Sequence, residues 1–169
     1  MATRARSVSA LAIVAALCGA PACGPTLPPS APSPLADRGL PDFQSTTMDG
    51  RELGARALRG HLAVVTFFGK KCGRCGETLP ALQGLSQEQP DVAFVGIAED
   101  DFALDSKDLV TMYRLTFPIV HDKGRSIGGG FHVEEMPATF VADRHGIVRW
   151  VGGADQSIDQ VRQALEVLR

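Results

Sequence analysis

Basic residues are in short supply in this chain. Its 17 lysines and arginines face 19 aspartates and glutamates, a formal net charge of −2. The cations are scattered, so there is no electrostatic footprint for nucleic acid. No internal repeat is present, which argues against a solenoid or propeller. The apolar run near the start, Val8 to Leu17, falls far short of the ~20 residues that a membrane-spanning helix needs. Cysteine is scarce as well, with four in 169 residues. A structural zinc site usually takes four ligands, often from two C-x-x-C pairs, and only one such pair, Cys72 and Cys75, is present. The histidines, His61, His121, His132 and His145, form no metal-spaced pair. No metal and no cofactor are expected.

What is there divides into three stretches. Arg4 and Arg6 precede the Val8–Leu17 run, and small residues Gly19-Ala20-Pro21-Ala22 follow it. That is the pattern of a secretory signal over residues 1–22. Cys23 comes directly after the small residues. It resembles the lipidated cysteine of a bacterial lipoprotein, with Ala20 where such signals usually carry Leu. Ala20-Pro21-Ala22 would serve an ordinary signal peptidase equally. Residues 23–40 hold Pro25, Pro28, Pro29, Pro32 and Pro34 and read as an extended, semi-rigid spacer. Export, with attachment to a membrane through Cys23 and placement in a periplasm, is the expectation.

Residues 41–169 read as one domain. His61 to Phe68 (HLAVVTFF) and Val92 to Ala98 (VAFVGIA) are apolar runs of strand length, suited to strands buried on both faces. A helix is predicted from about Cys72 to Gln87, with Pro80 inside it, and another over Ser106–Leu115. A hairpin is predicted at Phe43–Leu58 around Asp49-Gly50, an edge segment at Phe117–Val120, and a second hairpin around Arg144-His145-Gly146. Ser157 with Gln160 three residues on forms a capping-box pattern for a last helix. Alternating strands and helices imply an α/β fold around a mixed sheet.

The C-x-x-C follows a buried strand and opens a helix. Helical residues three apart lie about 5–6 Å from each other, inside the range of about 4.4–6.8 Å that a disulfide bridges. A helix N-terminus stabilises a thiolate, which suits Cys72 as the attacking sulfur and Cys75 as the resolving one. A permanent disulfide is the alternative. It would close a tiny loop and stabilise little by chain entropy.

VVTFFGKKCGRCGETLPAL resembles the active-site segment of the thioredoxin superfamily, in its TlpA/ResA-like extracytoplasmic branch. EEMPATFVADRHGIV, residues 134–148, is similar to the segment that carries the cis-proline of that family. The resemblance implies a thioredoxin-like fold over about residues 41–169 and thiol:disulfide exchange with protein substrates. It also implies a substrate-binding role for Met136 and Pro137, and a membrane electron donor of the DsbD/CcdA type. Reductase direction is expected. Thr66 stands where thioredoxins carry a buried Asp, and Glu99 matches a buried Glu of ResA-like proteins that could relay protons. As one of the run Glu99-Asp100-Asp101, it reads equally as a solvated loop acid. Lys71 replaces the usual Trp before the first cysteine. A peroxiredoxin would have Thr and Pro where Gly69 and Val65 stand. Copper chaperones on this fold use a different cysteine spacing with a distant histidine.

Overall fold

The computed structural model describes residues 26–169. The signal at 1–22 and the lipidation site Cys23 lie outside the described residues.

Five strands form the central sheet: β3 (Ala63–Phe68), β4 (Ala93–Ala98), β5 (Ile119–His121), β6 (Ala138–Ala142) and β7 (Val148–Gly152). A small hairpin of β1 (Gln44–Thr46) and β2 (Glu52–Gly54) precedes them, and a 3-10 turn, Ala55–Leu58, follows the hairpin. The order in the sheet is β5-β4-β3-β6-β7, with β3, β4 and β5 parallel and β6 and β7 antiparallel. The mixed sheet and α/β class expected from the sequence are present.

β3 is central and all six of its residues are buried. Its alternation serves two cores. Val64 and Phe68 face the cluster that includes Leu79, Leu82, Trp150 and Leu165. Val65 and Phe67 face the cluster that includes Phe43, Phe131 and Phe140. The first core lies under α1 (Cys75–Glu88), α2 (Ala103–Met112) and α4 (Ile158–Val167). The second lies under α3 (Ser126–Gly130), the 3-10 turn and the N-terminal segment. Phe131 sits at its centre, 4.9 Å from Phe67 and 5.1 Å from Phe140 between ring centroids. α4 starts at the capping box read from the sequence: Gln160 N–H donates to Ser157 Oγ, and Ser157 N–H to Gln160 Oε1.

Two expectations need correction. The helix after β3 starts at Cys75, three residues later than predicted, so Cys72 lies in the turn ahead of it. The proline-rich stretch is not a free spacer. Ala31 N–H donates to Val151 O at 2.7 Å, Asp37 N–H to Val148 O at 2.9 Å, and Leu40 N–H to Gly146 O at 2.8 Å. Trp150 Nε1–H donates to Pro29 O at 3.1 Å, and Leu35 is buried in the second core. This stretch covers the exposed edge of β7, which would otherwise offer free N–H and C=O groups. At the opposite edge, Met48 N–H donates to Ile119 O, and the β1–β2 hairpin covers β5.

Candidate active site

β3 ends at Phe68, and the chain turns through Gly69-Lys70-Lys71 into Cys72. The turn is closed by Cys72 N–H donating to Gly69 O at 3.1 Å. Cys72 and Cys75 are joined as a disulfide, with 5.4 Å between their Cα atoms. The geometry that the sequence assigned to a first helical turn is thus supplied by a turn leading into α1. Cys72 remains close to the N-terminus of α1, whose cap is Arg74. The two sulfurs differ in access. Cys75 is 2% exposed and belongs to the core, whereas Cys72 is half-buried at its margin.

The Met136–Pro137 peptide bond is cis. β6 pairs with β3 so that Ala138 faces Phe67, which sets Pro137 at the end of β3 from which the redox turn departs. A Cβ placed on Gly69 would lie 3.4 Å from Met136 Cε. Met136 is therefore packed at that turn, and Pro137 is buried beside it. Thr66, at the position of the thioredoxin acid, pairs its hydroxyl with that of Thr139 at 3.1 Å, both fully buried.

Glu99 is buried rather than solvated, its side chain wholly inaccessible. It follows β4, with its N–H donating to Phe68 O at 2.9 Å. Its carboxylate is directed to α3, which is not where the cysteines lie. Arg125 Nε donates to Oε2 at 2.6 Å, and Oε1 is packed against Gly128 with no hydrogen-bond partner. Burial pushes the Glu99 carboxyl above the usual carboxylate range, and Arg125 pulls against that rise. The carboxyl is therefore easier to protonate in the folded protein than in the unfolded chain. Its contribution to stability is present below the ordinary carboxylate range and is lost as pH rises through the raised value. Glu99→Gln removes this dependence. Urea unfolding of the disulfide-closed proteins across a pH series should show wild type gaining stability relative to the variant on acidification from neutral pH. Parallel curves would contradict the assignment.

Several acids and one cation, Arg125, were not singled out by sequence reasoning. Asp122 is buried and caps α3, accepting from Ser126 Oγ and from the N–H groups of Ser126, Ile127 and Gly128. Arg125 pairs with Glu99. Asp100 is buried against the redox turn and accepts from Lys70 N–H at 2.7 Å. Asp105 pairs with Lys70, and Asp108 lies 3.9 Å from the same ammonium. Arg74 lies near Glu77 and Asp155. Two of the three cations flanking Cys72 thus have acidic partners. A proline or glycine signals a turn locally, but nothing local tells a buried acid from a solvated one.

Among the described residues, no group of three or more His, Cys, Asp or Glu side chains is placed to hold a metal ion, and no helix is long and apolar enough to cross a membrane.

A model of the AhpC/TSA family matches residues 37–151. The chain belongs to that family. Among its members' relatives in the thioredoxin superfamily it is of the TlpA/ResA-like kind. It is 28% identical over 110 residues to the thiol-disulfide oxidoreductase ResA of Bacillus thuringiensis, covering 64% of each chain. The matched stretch is thus somewhat under two thirds of that relative's length. The fold is similar to that of a secreted Mycobacterium tuberculosis disulfide oxidoreductase homologous to E. coli DsbE, with a TM-score of 0.66 and 26% identity over 74% of this chain and 93% of that one. It also matches a thiol:disulfide interchange protein of the thioredoxin family from Chlorobium tepidum, with a TM-score of 0.69 and 22% identity over 82% of this chain and all of the other. The thioredoxin-like fold expected from the sequence is the fold of the AhpC/TSA chain described here.

Proposed function

We propose that this AhpC/TSA-family chain is an exported thiol:disulfide oxidoreductase that exchanges disulfides with protein substrates through Cys72 and Cys75, in the reducing direction. The observation that carries this is the asymmetry of the pair: a half-buried cysteine in a turn, bonded to a buried cysteine that is the first residue of a helix. In the reduced protein, the Cys72 thiolate attacks a client disulfide. A mixed disulfide forms and one client thiolate leaves. The Cys75 thiolate then attacks Cys72 Sγ and releases the second client thiolate, so the client gains two electrons and the pair closes. A membrane donor of the DsbD/CcdA type would return those electrons. Met136 and Pro137, beside the turn, would pair with the client backbone. Glu99, with its carboxylate turned to α3 and paired with Arg125, takes no step in this exchange.

The acidic partners of Lys70 and Arg74 support the reducing direction. Positive charge beside Cys72 would stabilise its thiolate and make the pair more oxidising, and these exposed cations are partly neutralised and screened. A peroxidase is the second reading, and Gly69 and Val65 stand where its Thr and Pro would be. Insulin reduction in the presence of dithiothreitol, run beside peroxide consumption and copper binding, decides. Insulin reduction that is lost in Cys72→Ser is the expected result. Peroxide turnover or stoichiometric copper binding without insulin reduction would overturn the proposal.

Export and anchoring rest on the signal pattern and Cys23. Because the proline-rich stretch is docked from Pro29 on, a lipid on Cys23 would hold the domain close to the bilayer rather than at the end of a long spacer. Membrane fractionation should find the full chain with membranes and a Cys23→Ser variant released. Equal membrane association of the two would sink the anchor.

A further inference from the structure

We propose that Asp100 is a positioning residue for the redox pair: its buried carboxylate holds the turn that carries Cys72 and keeps that turn in place once the disulfide opens. The proposal rests on the exchange reading above and goes beyond it by assigning a residue outside the motif.

Both oxygens of Asp100 are used. Oδ1 accepts the Lys70 N–H at 2.7 Å, and Oδ2 accepts the Ser106 hydroxyl at 2.9 Å. Ser106 is itself fully buried on α2. The main-chain carbonyl of Asp100 accepts from His121 Nε2 at 2.7 Å, which ties it to β5. One residue therefore joins the redox turn, α2 and β5. A Cβ on Gly69 would stand 3.2 Å from Asp100 Oδ1 and 3.4 Å from Met136 Cε. The carboxylate and Met136 thus grip the turn at Gly69, and the next fixed point along the chain is Cys72 N–H on Gly69 O.

This matters most in the reduced protein. Cys75 is held by α1 and by the core in either redox state. Cys72 is covalently held only while the disulfide is closed. After reduction, its distance from Cys75 depends on the turn, and the turn depends on Asp100. Closure by glutathione disulfide is balanced as dithiol plus oxidised glutathione giving protein disulfide plus two reduced glutathiones. Its equilibrium constant measures how well the two thiols are pre-placed.

The test is that equilibrium constant for the full chain, read by mass spectrometry after acid quench and alkylation. Asp100→Ala should lower it about tenfold, the loss expected when a buried charge-assisted hydrogen bond goes. Asp100→Asn keeps a carbonyl oxygen for the Lys70 N–H, and its amide can donate to Ser106 Oγ. It should restore the constant to within about twofold of wild type. Equal constants in all three proteins would overturn the proposal. So would an equal shift in both variants, because the carboxylate charge and not its placement would then be at work. Should Asp100→Ala fail to fold, Ser106→Ala decides, with an expected loss of about two- to threefold. An unchanged constant there overturns the proposal. A wild type that never equilibrates with glutathione would instead overturn the exchange reading itself, and the role of Asp100 in it.

Discussion

Replacing Cys75 with Ser is expected to stop insulin reduction while leaving the first step intact. Cys72 can still attack a client disulfide, but the sulfur that would release the client is gone. The variant should accumulate as a mixed disulfide, visible as a dithiothreitol-sensitive increase in mass on a non-reducing gel. Cys72→Ser should form no such adduct, because the remaining cysteine, Cys75, is 2% exposed and belongs to the core cluster with Leu79 and Leu82. The contrast between the two variants is the mark of a divided pair. A permanent structural disulfide would give neither adduct nor turnover in wild type. Adducts of similar yield from both variants would mean that the sulfurs are equivalent.

The second large effect concerns the N-terminal stretch. A chain starting at residue 41 should be less stable than one starting at residue 26. The longer chain keeps the main-chain bonds of Ala31, Asp37 and Leu40 to the β7 hairpin, the bond from Trp150 to Pro29, and the burial of Leu35. Each hydrogen bond contributes about 1 kcal/mol net, and burial of a leucine about 1.5–3 kcal/mol. Ordering the stretch offsets part of this, less than usual because its prolines restrict the unfolded chain. A net loss of about 2–4 kcal/mol is expected from urea unfolding of the two chains. Equal midpoints would return residues 26–40 to a free spacer.

Much of the fold could be read in advance because the decisive signals are local. HLAVVTFF can be little other than a central strand, and its position ahead of the C-x-x-C locates the redox turn. Ser157 and Gln160 announce α4 within four residues. The misses have in common that a distant residue decides them. Pro29 and Leu35 look like spacer until Trp150 and β7, more than a hundred residues later, provide a surface for them. α3 runs through Gly128, Gly129 and Gly130, poor helix formers, and it is held by the Asp122 carboxylate capping its first N–H groups. Gly128 is required there for another reason: any side chain would collide with Glu99. The run Glu99-Asp100-Asp101 reads as solvent-facing, but β4 carries the first two into the interior and only Asp101 stays outside. Arg125 and Ser106, which make that burial tolerable, carry no sequence signal of their own.

The central claim is that Cys72 attacks and Cys75 resolves. Timed alkylation of the fully reduced protein with iodoacetamide at neutral pH, followed by peptide mapping, tests it directly. The half-buried sulfur beside the N-terminus of α1 should label rapidly, and the core sulfur should stay unmodified until the protein unfolds. Labelling of Cys72 and Cys75 at similar rates in the folded protein would contradict the account.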